Sequence, residues 1–272
     1  MNSRTFVSRV CRMPIGRHAQ LATGRRTFAS AAQPNAEVVA GALSPRWLTD
    51  LQTRLKKVSV TKLSPASGAE WKRLHREIDS RWLDLLAGSD GFLTSPRWRG
   101  LNSHAVAWGD MDSMGHVNNV IYNKYAESAR VEWVRKFTEE AALEHKQQWT
   151  ELMSPRGIGL IMRSIKTEYK LPVTYPDRVT VLHRLTKRPD ASSDALYFDV
   201  MILSDVHRRL AARCSEDIVV YDYRTAKRSP LLPFMVERLQ ETFDLQEENR
   251  TRCREEVRGM FDAVERMERE SS

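Results

Sequence analysis

Gly109-Asp110-Met111-Asp112-Ser113-Met114-Gly115-His116-Val117-Asn118-Asn119-Val120-Ile121-Tyr122 is a polar loop that runs into the start of a helix. Beyond it, Tyr122, Ala126, Ala129, Trp133 and Phe137 recur at helical spacing, which predicts one long helix over residues 118–137. Ahead of it, the apolar residues 105–108 are expected to form a short strand. Four longer strand-like runs follow, at 159–171, 178–187, 196–204 and 209–223, each bounded by Pro, Asp or Ser. Leu196, Phe198, Val200 and Ile202 alternate along the third run and give it one buried face. Long strands with short connections favour an antiparallel sheet, and one long helix precedes them. The expected class is therefore α+β, a helix wrapped by a sheet.

An acid shortly before a helix N-terminus can lie beside backbone N–H groups that lack intrahelical partners and carry the positive end of the dipole. Such amides can polarise a thioester carbonyl while the carboxylate attacks it or activates a water. Asp112 is the candidate acid. His116 follows it in the loop, Asn118 and Asn119 open the helix, and Glu127 lies two to three turns further on. Each has a structural alternative: Asp112 as a helix-start cap, His116 and Asn118 as turn-shaping residues, and Glu127 as the i,i+3 partner of Arg130. Asp110 reads as a structural hydrogen-bond acceptor.

The chain has 272 residues, 41% hydrophobic and 29% charged. Its mean hydropathy is −0.51, which fits a globular chain with a sizeable core. No run approaches the ~20 apolar residues of a spanning helix, so no transmembrane segment is expected. The net charge of +8 raises a nucleic-acid partner, but Arg4, Arg9, Arg12, Arg17, Arg25 and Arg26 all precede Glu37, the first acid. This composition resembles a mitochondrial presequence. Arg26-Thr27-Phe28-Ala29-Ser30 resembles a matrix-peptidase site, with the cut expected after Phe28. Without those arginines the charge falls to +2, so no nucleic-acid partner is expected. The expected location is the mitochondrial matrix.

Between the expected presequence, 1–28, and the loop lie a linker, 29–44, and a helical extension, 45–100. Ser44 and Pro45 stand where an N-cap and first-turn proline belong, and Trp47, Leu48, Leu51 and Leu55 follow at helical spacing. Gly68 is expected to separate a second helix, with Trp71, Leu74, Ile78, Trp82 and Leu85 on one stripe and Gly88 and Gly91 at its end. Residues 101–235 form the expected main domain. Residues 236–272 read as a charged, solvated amphipathic helix with Val257, Met260, Phe261 and Val264 on its apolar stripe.

The pattern Asp-x-Asp-x-x-Gly-His-Val-Asn-Asn-x-x-Tyr-x-x-Tyr-x-Glu-x-x-Arg, from Asp110 to Arg130, resembles the hotdog-fold thioesterases of the 4-hydroxybenzoyl-CoA thioesterase type. The wider chain looks like fungal mitochondrial members of that superfamily. The resemblance implies a hotdog fold, with a long central helix wrapped by a curved antiparallel sheet. It implies hydrolysis of an acyl-CoA, or of an acyl carrier thioester, to free acid and thiol. On it, Asp112 matches the catalytic aspartate as nucleophile or general base, and Asn119 matches the carbonyl-polarising amide. His116 would orient water or substrate, and Glu127 would face the pocket. The related plant acyl-ACP thioesterases have an Asn two residues before the His, where Met114 stands here, and this departure argues against their mechanism. The resemblance further implies a homodimer or a dimer of dimers.

A CoA ester also needs cations for its phosphates, and Arg163, Lys166 and Lys170 on a strand are the candidates. No Gly-rich nucleotide loop, His-Glu-x-x-His zinc helix or Gly-x-Ser-x-Gly elbow is present, and Cys11, Cys214 and Cys253 lack metal-ligand spacing. No cofactor, metal or disulfide is expected. Two rival readings are a non-catalytic hotdog interaction module and a hydratase or dehydratase acting on enoyl or hydroxyacyl thioesters.

Overall fold

The computed structural model describes residues 43–272. The expected presequence and all but the end of the expected linker lie outside the described residues. Six strands form one antiparallel sheet: β1 (Arg99–Ala105), β2 (Ile158–Tyr169), β3 (Arg178–Leu185), β4 (Ala195–Ser204), β5 (Arg209–Asp222) and the two-residue β6 (Lys227–Arg228). Their order is β1-β3-β4-β5-β2, with β6 paired to β5. The helices are α1 (Trp47–Lys57), α2 (Pro65–Gly88), α3 (Asn119–Glu140), α4 (Lys146–Glu151) and α5 (Pro233–Ser271).

The predicted stripe of α3 is buried in full, its aromatic and alanine side chains packing on Val179, Val181, Phe198, Val200 and Ile202 of the sheet. Gly100 sets how closely β1 and α3 approach, because a Cβ there would lie 2.4 Å from the carbonyl oxygen of Ala129. A long helix cradled by an antiparallel sheet is the hotdog fold.

The sheet's other face is covered as well. Leu182, Met201 and Leu203 of β3 and β4 pack against Leu83 and Ala87 of α2 and against Phe92. A third cluster joins Leu51, Leu55, Leu74 and Ile78 of α1 and α2 to Val257 and Val264 of α5. The first turns of the same helix, through Met235, Val236 and Leu239, belong to the α3–sheet core. Within the 39 residues of α5, both cores are therefore tied together.

Several expected boundaries shift for identifiable reasons. Strand β1 ends at Ala105, where the apolar residues 105–108 begin, and it is polar because it is a half-exposed edge strand. Helix α1 begins at Trp47, two residues past Pro45. Gly68 lies inside α2, whose start is set by Ser64 accepting from the Ser67 amide and by Pro65 in the first turn. Pro233 likewise starts α5 three residues before the expected 236. The stripe Val257, Met260 and Val264 is buried against α1 and α2, so only the opposite face of this charge-dense helix meets solvent.

Candidate functional site

The loop between β1 and α3 is locked by its own side chains. Asp110 Oδ2 accepts from the Ala107 amide at 3.1 Å and from the Tyr125 hydroxyl at 2.7 Å, which makes it the structural acceptor the sequence suggested. Burial, followed by this bond to Asp110, pushes the Tyr125 phenol up and keeps it a neutral donor. Further along, the Val117 amide donates to Val173 O at 2.8 Å and the Asn118 amide to Asp110 O at 2.9 Å. Both bonds pin the loop's exit.

Between these anchors Asp112 closes a turn. Its Oδ1 accepts from the Met114 amide at 2.8 Å and from the His116 amide at 3.4 Å. Its backbone amide donates to His116 O at 2.8 Å. The turn requires φ +77° at Gly115, a conformation that costs a residue with a Cβ about 1–2 kcal/mol. Oδ2 of Asp112 has no hydrogen-bond partner among the described residues. One oxygen thus fixes the carboxylate plane and the other is left for chemistry.

Asn118 is the N-cap of α3, its Oδ1 accepting from the Val120 amide at 3.1 Å. Asn119 is the first helical residue, and its N–H has no acceptor among the described residues. That orphan donor carries the positive end of a 22-residue helix.

Asp112, His116 and Asn119 line one cleft of about 340 Å³, with Met114, Tyr122 and Lys170 on its walls. Tyr169 also lines it, stacked edge-on to Tyr122 at 5.2 Å and donating through its hydroxyl to Asn119 O at 3.1 Å. The structure therefore brings together three of the predicted catalytic residues and one predicted phosphate ligand, Lys170. Asn118 shapes the helix start without lining the cleft. Glu127 is exposed on α3 outside the cleft lining and makes no pair with Arg130. Arg130 instead donates from Nη1 to Glu216 Oε1 on β5 at 2.6 Å, inside the core.

The candidate phosphate ligands separate. Arg163 pairs with Asp217, its Nε donating at 2.8 Å, and it does not line the cleft. Lys166 and Lys170 both bond Glu168, at 2.8 and 2.7 Å, and hold its carboxyl down to about 2. Of the three cations, Lys170 alone reaches the cleft. Tyr169 at the end of β2, with Leu171 and Pro172 just beyond it, also lines the cleft, and nothing in the local pattern of a strand's end marks which cavity it borders.

Among the described residues, no group of three or more His, Cys, Asp and Glu side chains is placed to hold a metal ion. Cys214 and Cys253 are free and buried, and burial pushes the Cys214 thiol up to about 11. No described helix is long and apolar enough to cross a membrane.

Fold and cleft together define a hotdog-fold protein with a carboxylate set beside a helix start. Residues 106–239, from the loop to the first turns of α5, match the sequence model of the Thioesterase-like superfamily. No curated protein matches the chain. Similar solved structures include a Thermus thermophilus thioesterase complexed with coenzyme A and zinc, at 22% identity over 51% of this chain and 90% of that one, with a TM-score of 0.39. Others are the DHNA-CoA thioesterase of Staphylococcus aureus (19% identity, 53% and 90% covered, TM-score 0.42) and the 1,4-dihydroxy-2-naphthoyl-CoA thioesterase of Synechocystis (21%, 51% and 93%, 0.41). Helices α1 and α2 lie outside the residues that match the family.

Proposed function

We propose that the protein is an acyl-CoA thioesterase that hydrolyses R–CO–S–CoA to a free acid and CoA. The observation that carries this reading is the divided carboxylate of Asp112, with Oδ1 held by two turn amides and Oδ2 unengaged, in the same cleft as the orphan Asn119 amide. The thioester carbonyl oxygen accepts from the Asn119 N–H, which stabilises the charge that develops there. As general base, Asp112 takes a proton from a water that attacks the carbonyl carbon. The C–S bond then breaks and CoA leaves as the thiol once protonated. As nucleophile, Asp112 would form a mixed anhydride that water hydrolyses, with the same products. His116 orients the water or the substrate.

The enzyme works as a homodimer or dimer of dimers in this reading, joined along β2. That 12-residue strand is an edge of the sheet, and an unpaired edge is a template for a second chain. Exposed apolar side chains cluster in the loop and at the start of α3: Trp108 and Met114 at 77% and Val120 at 66%. Covering them with a second copy would also narrow the open cleft. The Arg-rich first 28 residues support import into mitochondria, with the matrix as the place of action.

Thiol release from a panel of short-, medium- and long-chain and aromatic acyl-CoAs tests the reading. Hydrolysis of at least one class, with free acid and CoA in equal amounts, is the expected result. Consumption of an enoyl-CoA without thiol release would replace it with a hydratase, and no reaction with any ester would leave a binding module.

A further inference from the structure

A basic groove of about 470 Å³ adjoins the Asp112 cleft, and the two share Lys170. Its walls come from the start of α1, from Leu86 of α2, from the end of β2 and from the β4–β5 hairpin. Five cations line it, Arg46, Lys170, Arg208, Arg209 and Arg213, against the single acid Glu168.

The pairing of these cations is uneven. Arg213 is committed to Asp199 and Asp90, and Arg208 to Asp79 at 2.8 Å. Glu168 is already shared by Lys166 and Lys170. The side chains of Arg46 and Arg209 have no acidic or hydrogen-bonding partner among the described residues, and both are exposed at the groove. Two uncompensated guanidiniums converging on one concavity from different elements make a site for oxygen anions, which a guanidinium fork binds best as phosphate or carboxylate. Pro45, Leu86 and Leu210 give the same groove an apolar wall. The volume lies within the range of small-ligand sites.

By composition the chain's own N-terminal segment is a poor source of that anion. Residues 1–42 hold six arginines and one acid, so their charge opposes the groove. A small anionic ligand with an apolar ring fits it instead.

We propose that this groove binds the phosphorylated nucleotide head of coenzyme A, with Arg46 and Arg209 on its phosphates, so that the pantetheine arm passes Lys170 into the Asp112 cleft. The inference rests on the acyl-CoA reading above and deepens it, because it selects CoA over a protein carrier. It also gives α1, which lies outside the family match, a role in recognising substrate.

Titration calorimetry of the full chain with free CoA, dephospho-CoA (no 3′-phosphate) and pantetheine tests it, alongside Arg46→Gln, Arg209→Gln and the double variant. CoA binding is expected to weaken about tenfold in each single variant and more in the double, and to weaken as salt rises. Arg209→Lys should recover part of the loss. Dephospho-CoA should bind less tightly than CoA, and pantetheine should not respond to the substitutions. The proposal is overturned if wild-type protein does not bind CoA, if the double variant binds it unchanged, or if pantetheine binds as tightly as CoA. Thiol release measured on the same samples separates the two claims. Nucleotide-dependent binding without hydrolysis keeps the groove and removes the enzyme, whereas hydrolysis with a KM indifferent to both arginines does the reverse.

Discussion

In the proposed reaction Asp112 has two tasks, one for each oxygen, and they can be separated because an amide keeps one of them. In Asp112→Asn the Oδ1 that accepts from Met114 and His116 remains, while the negative charge and basicity are lost. The buried trio of Arg130, Glu216 and His183 poses the opposite problem. Burial pushes the Glu216 carboxyl up, but His183 and Arg130 outweigh it and leave it below its ordinary range. His183 Nε2 stands 3.5 Å from Glu216 Oε2, and neither atom makes a hydrogen bond. A carboxyl depressed on folding stabilises the protein above its unfolded value, about 4.3, and that contribution is lost as pH falls through the lower folded value. Urea unfolding should therefore show stability falling below about pH 4, with a shallower fall in Glu216→Gln. At neutral pH that variant should lose ~3 kcal/mol or more, since it leaves Arg130 buried without its counter-charge. A loss within about 0.5 kcal/mol, on the scale of an ordinary surface substitution, would show that the trio is not a stabilising unit.

At the scale of elements, the contact between β1 and α3 decides where the loop delivers Asp112. Gly100→Ala places a Cβ against the Ala129 backbone, which cannot yield as a flexible side chain would. The expected cost is ~1–3 kcal/mol by thermal or urea melts, together with a lower kcat from displacement of the helix start. An unchanged melt would mean that the two elements part freely. This contact was invisible in the sequence, where Gly100 is one glycine among 12. By contrast, α3 and the strands β2 to β5 were legible within a few residues, because their burial on one face writes a period into the chain. The loop was legible for a different reason, since Asp, Gly and Asn at fixed offsets state a turn and a cap. The polar edge β1 and the six-residue α4 carry no such period. Of the candidate cleft, Asp112 stood out from its place before a helix start, and His116 and Asn119 from the loop's resemblance to a known motif. The groove that Arg46 and Arg209 line left no mark in the sequence, because the two residues lie 163 positions apart and share a wall only in the folded chain.

For the molecule as a whole, α5 couples the hotdog core to the helical addition, since one helix contributes to both clusters. Residues 43–272 should therefore unfold in a single transition, with far-UV ellipticity and tryptophan fluorescence coinciding. Two resolved transitions would show that the additional helices are an independent layer. Val257→Ala, which opens a cavity where α5 meets α1 and α2, should lower the midpoint of both probes together.

Hydrolysis of a thioester at Asp112 is tested by the kcat of thiol release in wild-type protein and in Asp112→Asn, with melts run in parallel. The account predicts a loss of about 10²–10⁴-fold at an unchanged melting temperature, the range expected when a positioned base or nucleophile is removed. Activity within about twofold of wild type in a folded Asp112→Asn variant, well short of that range, would contradict it and move the chemistry elsewhere in the chain.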